Sequence, residues 1–207
     1  MRRLAIISLV VVSSMSSMAW ENVLELEAAA VRALTPPVSI LEASFTNEVS
    51  SALQSTNRIM RVDAELLQSI INYQRFLDTV EGQMLDNEFL CLSNVVSLTS
   101  GETNRWQFWT GRLLLASTYA AGNHFDVSYQ MSTNYIQMAE GYGCAGETNA
   151  LSSAILTYYE MPGIEVDVAL KVFAGMSAAG MGSGTVATNF ANQVPAPYRN
   201  MILEFVK

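Results

Sequence analysis

Apolar residues recur along this chain at steps of three and four almost from end to end, the spacing of one face of an α-helix. Val23, Leu26, Ala30 and Leu34 form the first stripe. Pro36 and Pro37 close it, because proline has no amide to donate and disfavours helical geometry in the residue before it. Leu41, Phe45, Val49 and Leu53 form a second stripe, and Val62, Leu66, Ile70, Tyr73, Leu77 and Val80 a third, with Ser55-Thr56-Asn57 between them suited to a kink or a cap. Phe89, Leu92, Val95 and Val96 mark another helix, ended by Ser100-Gly101. Leu151, Ile155 and Tyr159 predict a helix running to Pro162-Gly163, and Ile164, Val168, Val172 and Met176 the next. Gly180 to Gly184 reads as a loop, and a short helix with Tyr198, Met201, Ile202 and Phe205 follows Pro195 and Pro197. No convincing run alternates apolar with polar residues, so the expected fold class is all-α: antiparallel helical hairpins in a solenoid-like array or an irregular bundle.

Two helices in the middle of the chain are apolar on two sides. In the first, Trp106, Trp109, Leu113, Ala116 and Ala120 share one face while Phe108, Leu115 and Tyr119 share another. After the turn Ala121-Gly122-Asn123, Phe125, Tyr129, Ile136 and Ala139 lie on one face of the second, with Met131, Tyr135 and Met138 on the other. Helices of this kind need cover from both sides, which places both at the centre of the expected fold. Gly141 to Gly146 ends the second of them.

The tetrapeptide Gly101-Glu102-Thr103-Asn104 recurs as Gly146-Glu147-Thr148-Asn149, 45 residues later, and Thr56-Asn57 and Thr188-Asn189 fall at comparable intervals on either side. One reading is a repeat of one helical hairpin per unit. The other is that Ser/Thr-Asn suits helix N-termini, where a side-chain oxygen accepts from free amides, and recurs in a chain rich in both. Leu115-Ala116-Ser117-Thr118-Tyr119, with Asn123 at the turn and Phe125 after it, resembles the first half of a tetratricopeptide repeat, over about one helix and a turn. Arg112 stands at the usual tryptophan position, Ser128 and Ser132 replace small and aromatic residues, and Glu140 replaces the closing proline; the 45-residue interval is closer to HEAT-like hairpins. The resemblance implies an α-hairpin array that binds proteins or peptides.

Composition adds a location. Arg2 and Arg3, the apolar run Leu4 to Val12 and the small residues of Ser17-Met18-Ala19 have the form of a secretory signal cleaved after Ala19, leaving residues 20–207 as a single α-helical domain that begins at Trp20. The apolar run is too short and too interrupted by serines for a membrane anchor, so no stable membrane insertion of the mature chain is expected. Cleavage takes the formal net charge from -8 to -10. Lysine occurs only at Lys171 and Lys207, and without clustered cations nucleic acid and anionic lipid are poor partners. The absence of Asn-x-Ser/Thr sequons favours a bacterial periplasm. In an oxidising compartment Cys91 and Cys144, at similar positions relative to the two tetrapeptides, are expected to form a disulfide, the alternative being two buried thiols.

Catalytic chemistry is sparse. His124 is the sole histidine and sits at a predicted helix start, so a site needing two histidines is excluded, and no metal or cofactor is expected. Gly175 to Ala179 lacks the strand and the later histidine of a nucleophile elbow, and the Gly180 to Gly184 loop lacks the lysine of a phosphate loop. Glu25/Glu27, Asp86/Glu88 and Glu165/Asp167 are each two apart, which points them about 200° apart on a helix and assigns them to solvated faces. The expected function is non-catalytic binding of a protein or peptide partner, with Arg105, Trp106, Trp109, Arg112 and Tyr135 as candidate contacts should their aromatics line a groove. Carboxylate-based glycan hydrolysis, using acids brought together from distant helices, and a structural protein without a specific ligand are the competing readings.

Overall fold

The computed structural model describes residues 22–36, 39–142 and 149–206, and among them the regular structure is entirely helical. Residues 22–33 form α1; then follow α2 (Ala43–Ala52), α3 (Arg58–Thr79), α4 (Gly82–Leu98), α5 (Trp106–Ala121), α6 (Phe125–Tyr142), α7 (Ala150–Tyr158), α8 (Val166–Gly180), α9 (Gly184–Ala191) and α10 (Ala196–Phe205). The all-α fold expected from the apolar spacing is therefore the fold observed. The proposed signal and its cleavage site, together with Cys144 and the segment Gly146 to Thr148, lie outside the described residues.

Local chemistry explains several boundaries. The Asn57 side chain accepts from the amides of Ile59 and Met60 and so starts α3, and Asn149 does the same for Leu151 at the head of α7. Asn104 does not cap α5, which begins at Trp106 after Arg105, and Asn189 lies inside α9. The recurring Thr-Asn is thus a cap at two of its four positions and not a constant structural marker. Asn123 closes the α5–α6 turn at φ +62°, a left-handed conformation that asparagine tolerates. Helix α9 was not foreseen; beside the buried Ala187 and Ala191 its large packed side chains are Val186 and Phe190, a single i, i+4 step in a helix of eight residues.

The helices enclose two apolar clusters. One gathers α1, α2, α3 and α4; the other gathers α6, α8, α9 and α10. Helix α5 belongs to both, giving Phe108, Trp109 and Leu113 to the second and Leu114 and Leu115 to the first. Helix α7 is shared in the same way, through Leu156 on one side and Leu151 and Ile155 on the other. The two-sided apolar pattern of α5 is thereby explained, although Trp106 and Trp109 part company: Trp106 packs on the first cluster, and Trp109 is 1% exposed in the second.

Consecutive helices α3 to α6 pack as neighbours, and close approach is paid for in side-chain volume. A Cβ at Gly111 on α5 would overlap Val95 of α4, and one at Gly180 at the end of α8 would stand 2.7 Å from the Phe125 ring of α6. Along the same α6–α8 contact the buried hydroxyls of Ser177 and Ser128 meet at 2.8 Å. Ser128 is therefore a small residue at the α6–α8 contact, and Ser132, one turn on, is buried with its hydroxyl unpartnered.

Candidate functional site

The five predicted contact residues do not form one surface. Trp109 is enclosed, its indole N–H donating to the Thr103 carbonyl at 2.9 Å. Arg112 is also buried. Its guanidinium donates to the carbonyls of Phe108 and Val96 and to Thr99 Oγ1, lies 3.5 Å above the Phe108 ring, and stands 5.5 Å from that of Tyr135. Trp109 and Arg112 are therefore interior groups, which corrects the expectation that they face a partner. Tyr135 is half-buried against the second cluster. Arg105 and Trp106 are partly exposed, and Arg105 lines a pocket of about 260 Å³ with Asn57, Arg58, Ile59, Val62, Thr99, Glu102 and Gln107.

The charges around that pocket are committed to structure. Helix α4 has no basic residue in its own last turn, and two arginines from neighbouring helices serve its C-terminal carbonyls: Arg58 of α3 donates to Leu98 O and Arg112 of α5 to Val96 O. Glu102 pairs with Arg58 at 2.7 Å and with Arg105 at 3.3 Å. These groups are occupied with holding α3, α4 and α5 together.

The interior holds two carboxyls that were read from the sequence either as solvated or not at all. Glu88 is 1% exposed and accepts from the Thr118 hydroxyl at 2.9 Å, leaving its second oxygen without a partner. Burial pushes its pKa up to about 7, partly offset by the Thr118 bond. Asp63 is fully buried and accepts from the Gln107 amide at 3.0 Å. Burial raises it to about 7 against the lowering effect of Gln107, with Glu27 raising and Arg105 lowering it further. Beside Glu88, the Cys91 sulfur accepts weakly from Asn72 at 3.8 Å, and burial, then Glu65, push the pKa of its thiol form up to about 12. Tyr159 stacks on Tyr73 at 5.1 Å with its buried hydroxyl unpartnered and its pKa raised by burial and then by Glu88.

These acids do not make a hydrolytic pair. Gln107 and Thr118, which hold Asp63 and Glu88, are eleven residues and about 16 Å apart along α5, so the two carboxyls are held on different turns, three turns apart. Glycan cleavage needs about 5 to 10 Å. The signal for their burial was present: Glu88 is in phase with Leu92 and Val95, and Asp63 with Leu66, Leu67 and Ile70. A third acid group, Glu140, Glu165 and Asp167, lines a pocket of about 180 Å³ with Lys171. Among the described residues no group of three or more His, Cys, Asp or Glu side chains is placed to hold a metal ion, and no helix is long and apolar enough to cross a membrane. His124 is exposed and meets the Tyr119 ring edge-on.

The α3–α4 hairpin carries the least expected feature. Leu77 and Val80, the end of the third apolar stripe, are 53% and 75% exposed, and on α4 Leu90 is 60% and Phe89 37% exposed. Leu77 continues the phase of Leu66, Ile70 and Tyr73 at the end of α3, Phe89 meets the Tyr119 ring of α5 edge-on at 5.2 Å, and Leu90 lies on the side of α4 away from Leu92. Leu24, Phe205 and Val206 are exposed too, but adjoin segments outside the described residues, and Met181 is 41% exposed in the α8–α9 turn. Val80 closes α3 at φ +58°, ψ +23°, its amide donating to Phe76 O. That conformation is costly for a β-branched residue and is ordinarily left to glycine. Asp78, Glu81 and Asp86 surround it, all exposed, and Arg75 is the one cation between Gln74 and Leu90.

Comparison with protein-family models, curated proteins and solved structures finds no match to this chain.

Proposed function

We propose that this chain is a non-catalytic, extracytoplasmic α-helical protein that binds a protein or peptide partner, as part of an envelope assembly, through the tip of the α3–α4 hairpin. The observation that carries the reading is the exposure of Leu77, Val80, Phe89 and Leu90 on one hairpin, in a chain that buries its other long stripes well. Burying a large apolar side chain is worth about 1.5 to 3 kcal/mol, so leaving several uncovered forgoes stabilisation that a docked partner would restore. The signal-like residues Arg2 to Ala19 support the location, and a disulfide between Cys91 and Cys144 belongs to the same proposal. The tetratricopeptide-like stretch in α5 and α6 supports a role in binding, while the placement of Asp63 and Glu88 on residues of α5 about 16 Å apart weighs against hydrolysis by those two acids.

A photo-crosslinking amino acid placed at position 90 in the native host tests this, with the same group at exposed Glu48 of α2 as the control. A defined adduct from position 90 that is lacking from position 48 is expected. The same adducts from both positions, or none from position 90, would overturn the assignment of the hairpin and leave a structural role without a specific ligand.

A further inference from the structure

We propose that the seam between the α3–α4 hairpin and α5 is a proton-dependent latch: it is closed while the buried carboxyls of Asp63 and Glu88 hold protons, and it opens, with the cluster of α6, α8, α9 and α10 still folded, when they lose them. Where a partner docks has no bearing on this device.

The face that α5 turns to the hairpin is the buried stripe Gln107, Gly111, Leu114 and Thr118, at i, i+4, i+7 and i+11. Leu114 is its one large apolar side chain. Gly111 lets the helices close up, since a Cβ there would overlap Val95 of α4 and lie 3.9 Å from Leu66 of α3. Both ends of the stripe are polar: Gln107 donates to Asp63 of α3 at 3.0 Å, and Thr118 to Glu88 of α4 at 2.9 Å. The two acids are 0% and 1% exposed, each has a second oxygen without a partner, and no ion pair among the described residues engages either. An ionised carboxyl there would be a buried charge with one neutral hydrogen bond, the costliest state for such a group.

The Thr118 hydroxyl has two acceptors at the same distance, Glu88 Oε1 and the Leu114 carbonyl, each at 2.9 Å. One proton cannot serve both well. A protonated Glu88 resolves the competition by donating to Thr118 Oγ1 while Thr118 donates to Leu114 O, so the neutral acid fits the seam better than its anion. The neighbours do not reverse this. Facing Glu88 are Tyr73 of α3, Tyr158 and Tyr159 at the end of α7 and Cys91 of α4, all neutral near pH 7. Facing Asp63 are Glu27 of α1, which opposes its ionisation, and Arg105 ahead of α5, which favours it. Burial raises Asp63 from 3.8 and Glu88 from 4.5 to about 7, so closure is fullest below those lower values and is lost as pH rises through 7. Asp63 and Glu88 are the only fully buried acids among the described residues, and both belong to the hairpin; α6, α8, α9 and α10 bury none, which confines the opening to one half of the fold.

Hydrogen exchange of the full chain, read by mass spectrometry from pH 5 to pH 8 with labelling times scaled to the intrinsic exchange rate, tests the latch. Residues 58–98 are expected to lose protection by at least about tenfold across that range while residues 166–205 keep theirs. E88Q and D63N should each reduce the change and together abolish it, and D167N, at a half-exposed acid of α8, should leave it as in the wild type. Should the double variant fail to fold, the wild-type profile and the two single variants decide. Protection lost equally by residues 58–98 and 166–205 would make the linkage global and overturn the latch. Protection that does not change with pH, or that changes as much in E88Q and D63N as in the wild type, overturns it as well.

Discussion

Replacing Glu88 by glutamine removes the charge from a carboxyl that the fold keeps from water, and the consequence depends on pH in a defined direction. In the unfolded chain the group titrates near 4.5, and in the folded protein near 7. Between those values the folded state holds a proton that the unfolded state has released, so the stability contributed by Glu88 is full below about 4.5 and is lost as pH rises through 7. A rise from 4.5 to about 7 corresponds to about 3 kcal/mol. Glutamine does not titrate and keeps the acceptor for the Thr118 hydroxyl, and like the protonated acid it leaves its second polar atom without a partner. The two proteins should agree within about 1 kcal/mol at pH 4. At pH 8 E88Q should be the more stable by about 3 kcal/mol. Urea unfolding followed by circular dichroism, at unit intervals from pH 4 to pH 8, measures the difference directly. A difference constant across that range, or a wild type that gains on E88Q as pH rises, would refute the burial of this carboxyl.

Asp63→Asn should behave alike, with a gain of about 4 kcal/mol developing between about pH 4 and pH 7. Because Gln107 and Thr118, which hold the two acids, are about 16 Å apart along α5, its effect should add to that of E88Q in the double variant. Gly111→Ala forces a methyl into Val95 across the α4–α5 contact and should lower stability by about 1 to 3 kcal/mol, seen as a lower urea midpoint with an unchanged slope. Intact mass of protein exported by the native host should match a chain beginning at Trp20, and alkylation without reductant should leave Cys91 and Cys144 unmodified; a species retaining Met1, or two alkylated cysteines, counts against the respective assignment.

Much of this fold was readable from spacing alone, because an apolar stripe of large side chains is both the sequence signal and the cause of burial. The two-sided pattern of α5 foretold its place between two clusters. The failures have a common physical source: residue type was taken as a guide to exposure where position on the helix decided it. Arg112, Glu88 and Asp63 were placed in solvent or passed over because they are charged, yet each is in phase with buried apolar neighbours and is held by a carbonyl, a hydroxyl or an amide, with one polar atom of each left without a partner. Leu77 and Val80 were read as core because they are apolar, although at the end of α3 they are 53% and 75% exposed. Helix α9 escaped because eight residues hold only one step of large apolar side chains, Val186 to Phe190, beside small Ala187 and Ala191. Of the contact residues named from sequence, only Arg105 and Trp106 keep partial exposure together, beside a pocket whose charges already pair.

The central claim is that a partner covers the hairpin tip and not the pocket at the head of α5. Hydrogen exchange of the exported protein, free and bound to the partner captured from position 90, measures both regions at once. Protection on binding confined to residues 77–90, strongest at the first amides of α4, is the predicted result. Protection centred on Arg105 and Trp106, with the hairpin unchanged, would contradict it.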